Sequence, residues 1–297
     1  MNSPSPHPLP EGGEGECTAG APPYMSPELA FVLSLGLRMA VAAAFVVIAS
    51  MITERSGPAL GALVATLPVS AGPSYLFLAL DHDDGFIAQS AVASLPMNAA
   101  TILMCLVFVH LAQRHSTVVS VACGIFVWFL FAALVRTFDW TLLGGIVFNV
   151  LALGVVLPLV QRFRSAKMPL ITRRWYDIPL RAALVAVLVA VVVTLSNTVG
   201  PRISGVIALF PAVFTSLILI LMPRIGGPAT AAVLANGQWG LIGFGAAIVV
   251  LHLTALPLGR AAALSLALSV CVAWNLGLWA FGRYRLQRAK IRISSPP

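Results

Sequence analysis

The chain has ten acidic residues, and none lies where a carboxylate could carry a proton through an apolar segment. Glu11, Glu14, Glu16, Glu28, Glu54, Asp81, Asp83, Asp84, Asp139 and Asp177 all fall in tails, in loops or in the first turn of an apolar run. Intramembrane acids relay protons and pair with cations, so a proton-coupled exporter of organic cations is disfavoured. The apolar runs offer neutral hydrogen bonding instead: Gln89, Asn98, Asn149, Asn236, Gln238 and Asn275, with hydroxyls at Ser70, Ser74, Tyr75, Thr215 and Ser216. Three further residues could carry charge or a proton. Arg38 either snorkels to headgroups or meets an anionic substrate. His110 and His252 either hydrogen-bond at an interface or relay protons. Neither H-E-x-x-H, G-x-S-x-G nor a carboxylate pair occurs, and without a positioned acid, base or nucleophile no enzyme is expected. Cys17, Cys105, Cys123 and Cys271 have no paired spacing, so neither a metal, a cofactor nor a disulfide is expected.

The elements that must position these residues are membrane helices. Of 297 residues, 59% are hydrophobic and 9% charged, against about 25% charged in a soluble globule, and the mean hydropathy is +0.94. An all-α polytopic bundle follows. A helix crosses the bilayer with roughly 20 apolar residues, which predicts nine spans at about 29–52, 58–80, 86–111, 117–136, 140–160, 178–196, 201–222, 228–254 and 260–282. Residues 1–25, rich in Pro, Gly and Glu and without a signal-peptide pattern, are expected to form a disordered tail. Ser26 is a good helix cap, followed by Pro27 and Glu28 in the first turn.

The net charge of +8 would suggest nucleic acid as a partner until its placement is considered. Five Lys and Arg fall in the connector 161–177 and five in the tail 283–297, separated by four spans. The positive-inside rule then places both on the cytoplasmic side, with the N-terminus outside. The expected setting is a bacterial inner membrane, with the lipid bilayer and a small-molecule substrate as partners and no nucleic acid.

A shift of 143 lays Leu37-Arg38 on Leu180-Arg181, Gly57-Pro58 on Gly200-Pro201, Ala65 on Ala208 and Pro68 on Pro211. The expected organisation is a five-span repeat over 26–160 and a four-span copy over 178–282. An odd span count inverts the second copy, a recurrent build of secondary transporters. Gly-Pro begins spans two and seven, where proline costs little. Pro68 and Pro211 sit about 15 Å deeper, where proline frees a carbonyl that lipid cannot satisfy. Spans two and seven are therefore expected to be broken helices facing a central pathway, although proline kinks that only shape packing would leave the same pattern. The candidate substrate site comprises Pro68, Ser70, Gly72, Pro73, Ser74, Tyr75, Asn98, Pro211, Thr215, Ser216, Asn236 and Gln238. The last two stand in "LANGQWG", which reads equally as site or as helix packing.

The phrase "GPALGALVATLPVSAGPSYLFLAL" resembles the signature of bacterial multi-pass inner-membrane proteins without assigned activity and is similar to the small GlpM-like group. That resemblance implies a multi-pass membrane protein and brings no catalytic residues. The five-plus-four layout also looks like the drug/metabolite transporter superfamily, whose members have ten spans; the last is missing here. The expected function is secondary transport of a neutral or anionic small molecule by alternating access. The alternative is a non-transporting membrane factor that assists assembly of an envelope pathway.

Overall fold

The computed structural model describes residues 26–55, 68–166 and 174–294, and every element among them is helical. These are α1 (Pro27–Arg55), α2 (Ala71–Asp81), α3 (Asp84–Leu111), α4 (Thr117–Val135), α5 (Leu142–Val160) with a short 3-10 turn at Gln161–Phe163, α6 (Asp177–Ala208), α7 (Ala212–Leu258) and α8 (Arg260–Ser294). The tail 1–25, the Gly57-Pro58 pair with Ala65, and the middle of the basic connector lie outside the described residues.

Helix starts follow local chemistry. Asp83, Ser116 and Thr141 accept the backbone N–H of Phe86, Val119 and Gly144, and Ser26 accepts that of Leu29 as its sequence context predicts.

Six described stretches are long and apolar enough to cross a membrane: Glu28–Ile48, Asp84–Leu111, Thr117–Val135, Leu142–Phe163, Asp177–Leu258 and Arg260–Tyr284. The chain is built as an integral membrane protein. The nine expected spans do not all stand separately. The second is described only from Pro68 onward, and the sixth, seventh and eighth run together in one stretch of 82 residues. As one straight helix that stretch would measure about 120 Å, four times the apolar thickness of roughly 30 Å, so it cannot be a single crossing. Its backbone leaves helical geometry at Gly200 (φ 74°) and Gly226 (φ 78°) and breaks between Ala208 and Ala212. Arg224 pairs with Asp177, 47 positions earlier, so the chain has returned to the end where α6 began.

Among the six stretches α3 is the most buried, with 78% of an 18-residue apolar window inside the protein against 11% for α1 and 17% for α8. α3 packs against α4, α5, α6 and α7, and its polar residues Ser90, Ser94, Asn98 and Thr101, which lipid could not satisfy, are buried in those contacts. The part of α7 beyond Gly226 runs antiparallel to it. At one end the backbone N–H of Arg260 reaches Asp84 (2.9 Å), midway Asn98 Nδ2 donates to the Leu241 carbonyl (3.1 Å), and at the far end Gly227 lies on the Ala112 carbonyl. On the neighbouring face Gly205 of α6 meets the Ser90 carbonyl, and an added Cβ would lie 2.2 Å from that oxygen.

Gly205→Ala must therefore push α6 off α3 and is expected to cost at least about 1–3 kcal/mol, read as a lower Tm in detergent. Gly72→Ala is the control: its Cβ meets nothing within 4 Å, and the Tm should hardly move.

Candidate functional site

The break at Pro211 lies against α3 and its backbone groups are met by protein, whereas Pro68 is described only from its own position onward. At Pro211 the helix is broken outright: α6 closes with Leu209 and Phe210 N–H bonds to the Val206 and Ile207 carbonyls, and Ala212 N–H donates to the Phe210 carbonyl (2.7 Å). With φ −78° and ψ 53°, Pro211 centres an inverse γ-turn. Before it, the Pro201 and Gly205 carbonyls accept from Ser90 (3.0 Å) and Ser94 (2.8 Å). At Pro68 the carbonyl accepts from Gly72 N–H (2.7 Å), and α2 begins at Ala71. Ser74 donates to the Ser70 carbonyl. Tyr75, buried, shares a 2.5 Å contact with Ser94. Because the Ser94 proton goes to Gly205, Tyr75 is the donor there.

Deeper along α3, Asn98 Nδ2 donates to Asn149 Oδ1 (2.8 Å) as well as to Leu241, and Asn149 Nδ2 donates to the Leu95 (2.5 Å) and Gly145 (2.9 Å) carbonyls. Asn98 Oδ1 is buried without a partner. Gln238 is fully buried beside the Cys105 thiol, and neither end of its amide finds an oxygen or nitrogen partner. Thr215 and Ser120 keep unpartnered hydroxyls beside a void of about 10 Å³, roughly the room for one water. Ser216 is satisfied by the Val213 carbonyl.

Other candidates stand apart from this interior set. Asn236 is exposed and holds the connector: its Oδ1 accepts from Arg164 Nε (2.8 Å), its Nδ2 donates to the Arg164 carbonyl, and the guanidinium lies over the Trp239 ring. His110 bridges the Leu106 carbonyl and Arg162. With Nε2 accepting from the guanidinium, Nδ1 carries the proton. His252 contacts the Ala88 carbonyl. Arg38 is paired with Asp81 and lies over Phe77.

Sequence analysis did not anticipate these ion-pair partners. Arg38–Asp81 and Asp177–Arg224 each join the first helix of an expected repeat to the far end of its broken second span. Asp81 and Arg224 are themselves 143 positions apart, but the shift lays Arg38 on Arg181 and not on Asp177, so it links one residue of each pair and does not identify both partners. The stripe Ser90, Ser94 and Asn98, spaced by four on one face of α3, was legible.

A cavity of about 460 Å³ beside these residues is a crevice between α1, α2, the later part of α7 and α8. Pro68, Gly72, Pro73 and Tyr75 line it, together with aliphatic and phenyl side chains. No protein-family model matches the chain, and neither a curated protein nor a solved structure matches it.

Asp177→Ala should destabilise the protein by about 2 kcal/mol, between the values for exposed and buried pairs, since only 10–12% of either side chain is exposed. The exchanged pair Asp177→Arg with Arg224→Asp should recover much of the loss of Tm. Outside the spans, His82 stacks on Phe86 with Nε2 buried, and burial lowers its pKa against the pull of Asp81 and Asp83. Protonation is therefore harder folded than unfolded, and stability should fall as pH drops through the ordinary imidazole range near ~6.5. His82→Gln should flatten that part of the Tm–pH curve.

Proposed function

We propose that the protein is a nine-span secondary transporter of a neutral or anionic small molecule. Its two inverted repeats rock against each other to open a shared pathway alternately to either side of a bacterial inner membrane. The N-terminus lies outside and the C-terminus in the cytoplasm.

One observation carries this reading. Seven of the eight residues lining the 10 Å³ void correspond, at a shift of 143, to residues lining the 460 Å³ crevice. Thr215 stands for Gly72, Ile218 for Tyr75, Met104 for Ala247, Phe108 for Leu251, Val121 for Leu264, Gly124 for Ala267 and Ile125 for Leu268. One seam is open and its counterpart is closed, partly by the bulk of Met104, Phe108 and Thr215. Two repeats in opposite orientations turn such an asymmetry into alternating access, because exchanging their conformations exchanges which seam is open. The Asn98–Leu241 bond, between residues 143 apart, lies where an axis relating the halves would pass. Each half also ties its first helix to the end of the next by an ion pair, and Asp81 and Arg224, one partner from each pair, correspond at the same shift.

Spin-label pairs at the exposed positions Ala44 and Ser269, and at their counterparts Val187 and Phe126, report the two seams in a cysteine-free protein. Pulsed electron resonance in nanodiscs should give two distances for each pair. Gly72→Leu, which props the crevice, should remove the shorter distance across 44–269 and the longer one across 187–126. A single distance in each pair, unmoved by that substitution, would overturn the rocking motion.

A further inference from the structure

The crevice also constrains what can occupy it. Among the described residues its lining includes only two polar side chains, Tyr75 and Ser265, and both hydroxyls donate within the protein: Tyr75 to Ser94, and Ser265 to the Ala261 carbonyl (2.9 Å). A polar solute placed there would lose water and find no free donor and at most two hydroxyl oxygens as acceptors. An alkyl chain has nothing to lose. Along Phe244–Leu251 and Ala261–Leu268 the slot runs roughly 10 Å of helical rise, about two-thirds of one leaflet's share of a hydrocarbon core of about 30 Å. Its flank is formed by Val41, Phe45, Leu76 and Leu268, each about half exposed and so continuous with the lipid-facing surface. At the Phe77 end stand Arg38 paired with Asp81, and Arg260 bonded to the His82 carbonyl and, through its backbone, to Asp84. Charge is thus concentrated at headgroup depth, with apolar surface below it.

Resting on the transport reading above, we infer that the crevice takes one acyl chain of a bilayer phospholipid, entering sideways between α1 and α8 with its headgroup at the Arg38 and Arg260 level. The substrate class is therefore a membrane amphiphile.

The test uses the full chain in nanodiscs containing phosphatidylglycerol with a photoactivatable diazirine midway along one acyl chain. Peptide mapping should find Tyr75, Leu251 and Leu264 labelled well above Val150 and Leu151, which face lipid on α5. Gly72→Leu fills the slot without meeting any atom within 4 Å of its Cβ. It should bring crevice labelling down to the α5 level while leaving α5 unchanged. Ala247→Phe, a second plug from the opposite wall, should do the same. Crevice labelling no higher than on α5, or indifferent to both plugs, overturns the site, whether a second copy of the chain or residues 56–67 fill the space instead. Fluorescent-lipid movement across proteoliposome membranes separates the two claims. Labelling together with plug-sensitive movement supports both, whereas labelling without movement keeps the lipid site and rejects transport of the lipid.

Discussion

A carbonyl freed inside a bilayer has to be met by protein, and the interior of this molecule is arranged around that requirement. Proline at 211 and the turn beside it interrupt the helical ladder at a depth where no water is expected. The freed groups are taken up by a tight turn and by Ser94 on α3, while Ser90 braces the Pro201 carbonyl further back along α6. That need explains why the most apolar-wrapped helix carries a ladder of small hydroxyls, and why glycine faces it at position 205. Ser90 cannot reach Pro201 unless the two backbones nearly touch. The irregular backbone, the small residues and the central helix are one solution to one problem.

Charge is handled with similar economy. Arg38–Asp81 and Asp177–Arg224 tie the same kinds of helix, and at the one corresponding place, Asp81 and Arg224, the sign is reversed between the halves, with the partner supplied from a different position on each first helix. Under the proposed orientation, this puts the carboxylate of the first pair at an outer loop and the guanidinium of the second at an inner one. The pairing survives while each loop keeps the sign that membrane insertion favours.

Much of the architecture was legible in the sequence, because long apolar runs and Gly-Pro punctuation report directly on helices and breaks. The positions of Pro211 and Ala212 illustrate this: sequence placed a break there, and the backbone has one. The count of crossings was less secure, because helical hydrogen bonding carries across Gly200 and Gly226 and blurs the ends of spans. Side-chain roles were harder still. Asn236 and Gln238 sit two residues apart, yet one faces outward to clip Arg164 and the other is sealed in the core, since successive helical positions diverge by about 100°. Composition could rank Asn98 as interesting; only the fold supplies Asn149 as its partner.

The void beside Ser120 and Thr215 holds space for about one water molecule and two hydroxyls that need it. Parting that seam would admit many more. Under the proposed alternation, the balance between the two arrangements would depend on water activity: osmolytes too large to enter would draw the protein toward its drier shape, and turgor would become a force on it.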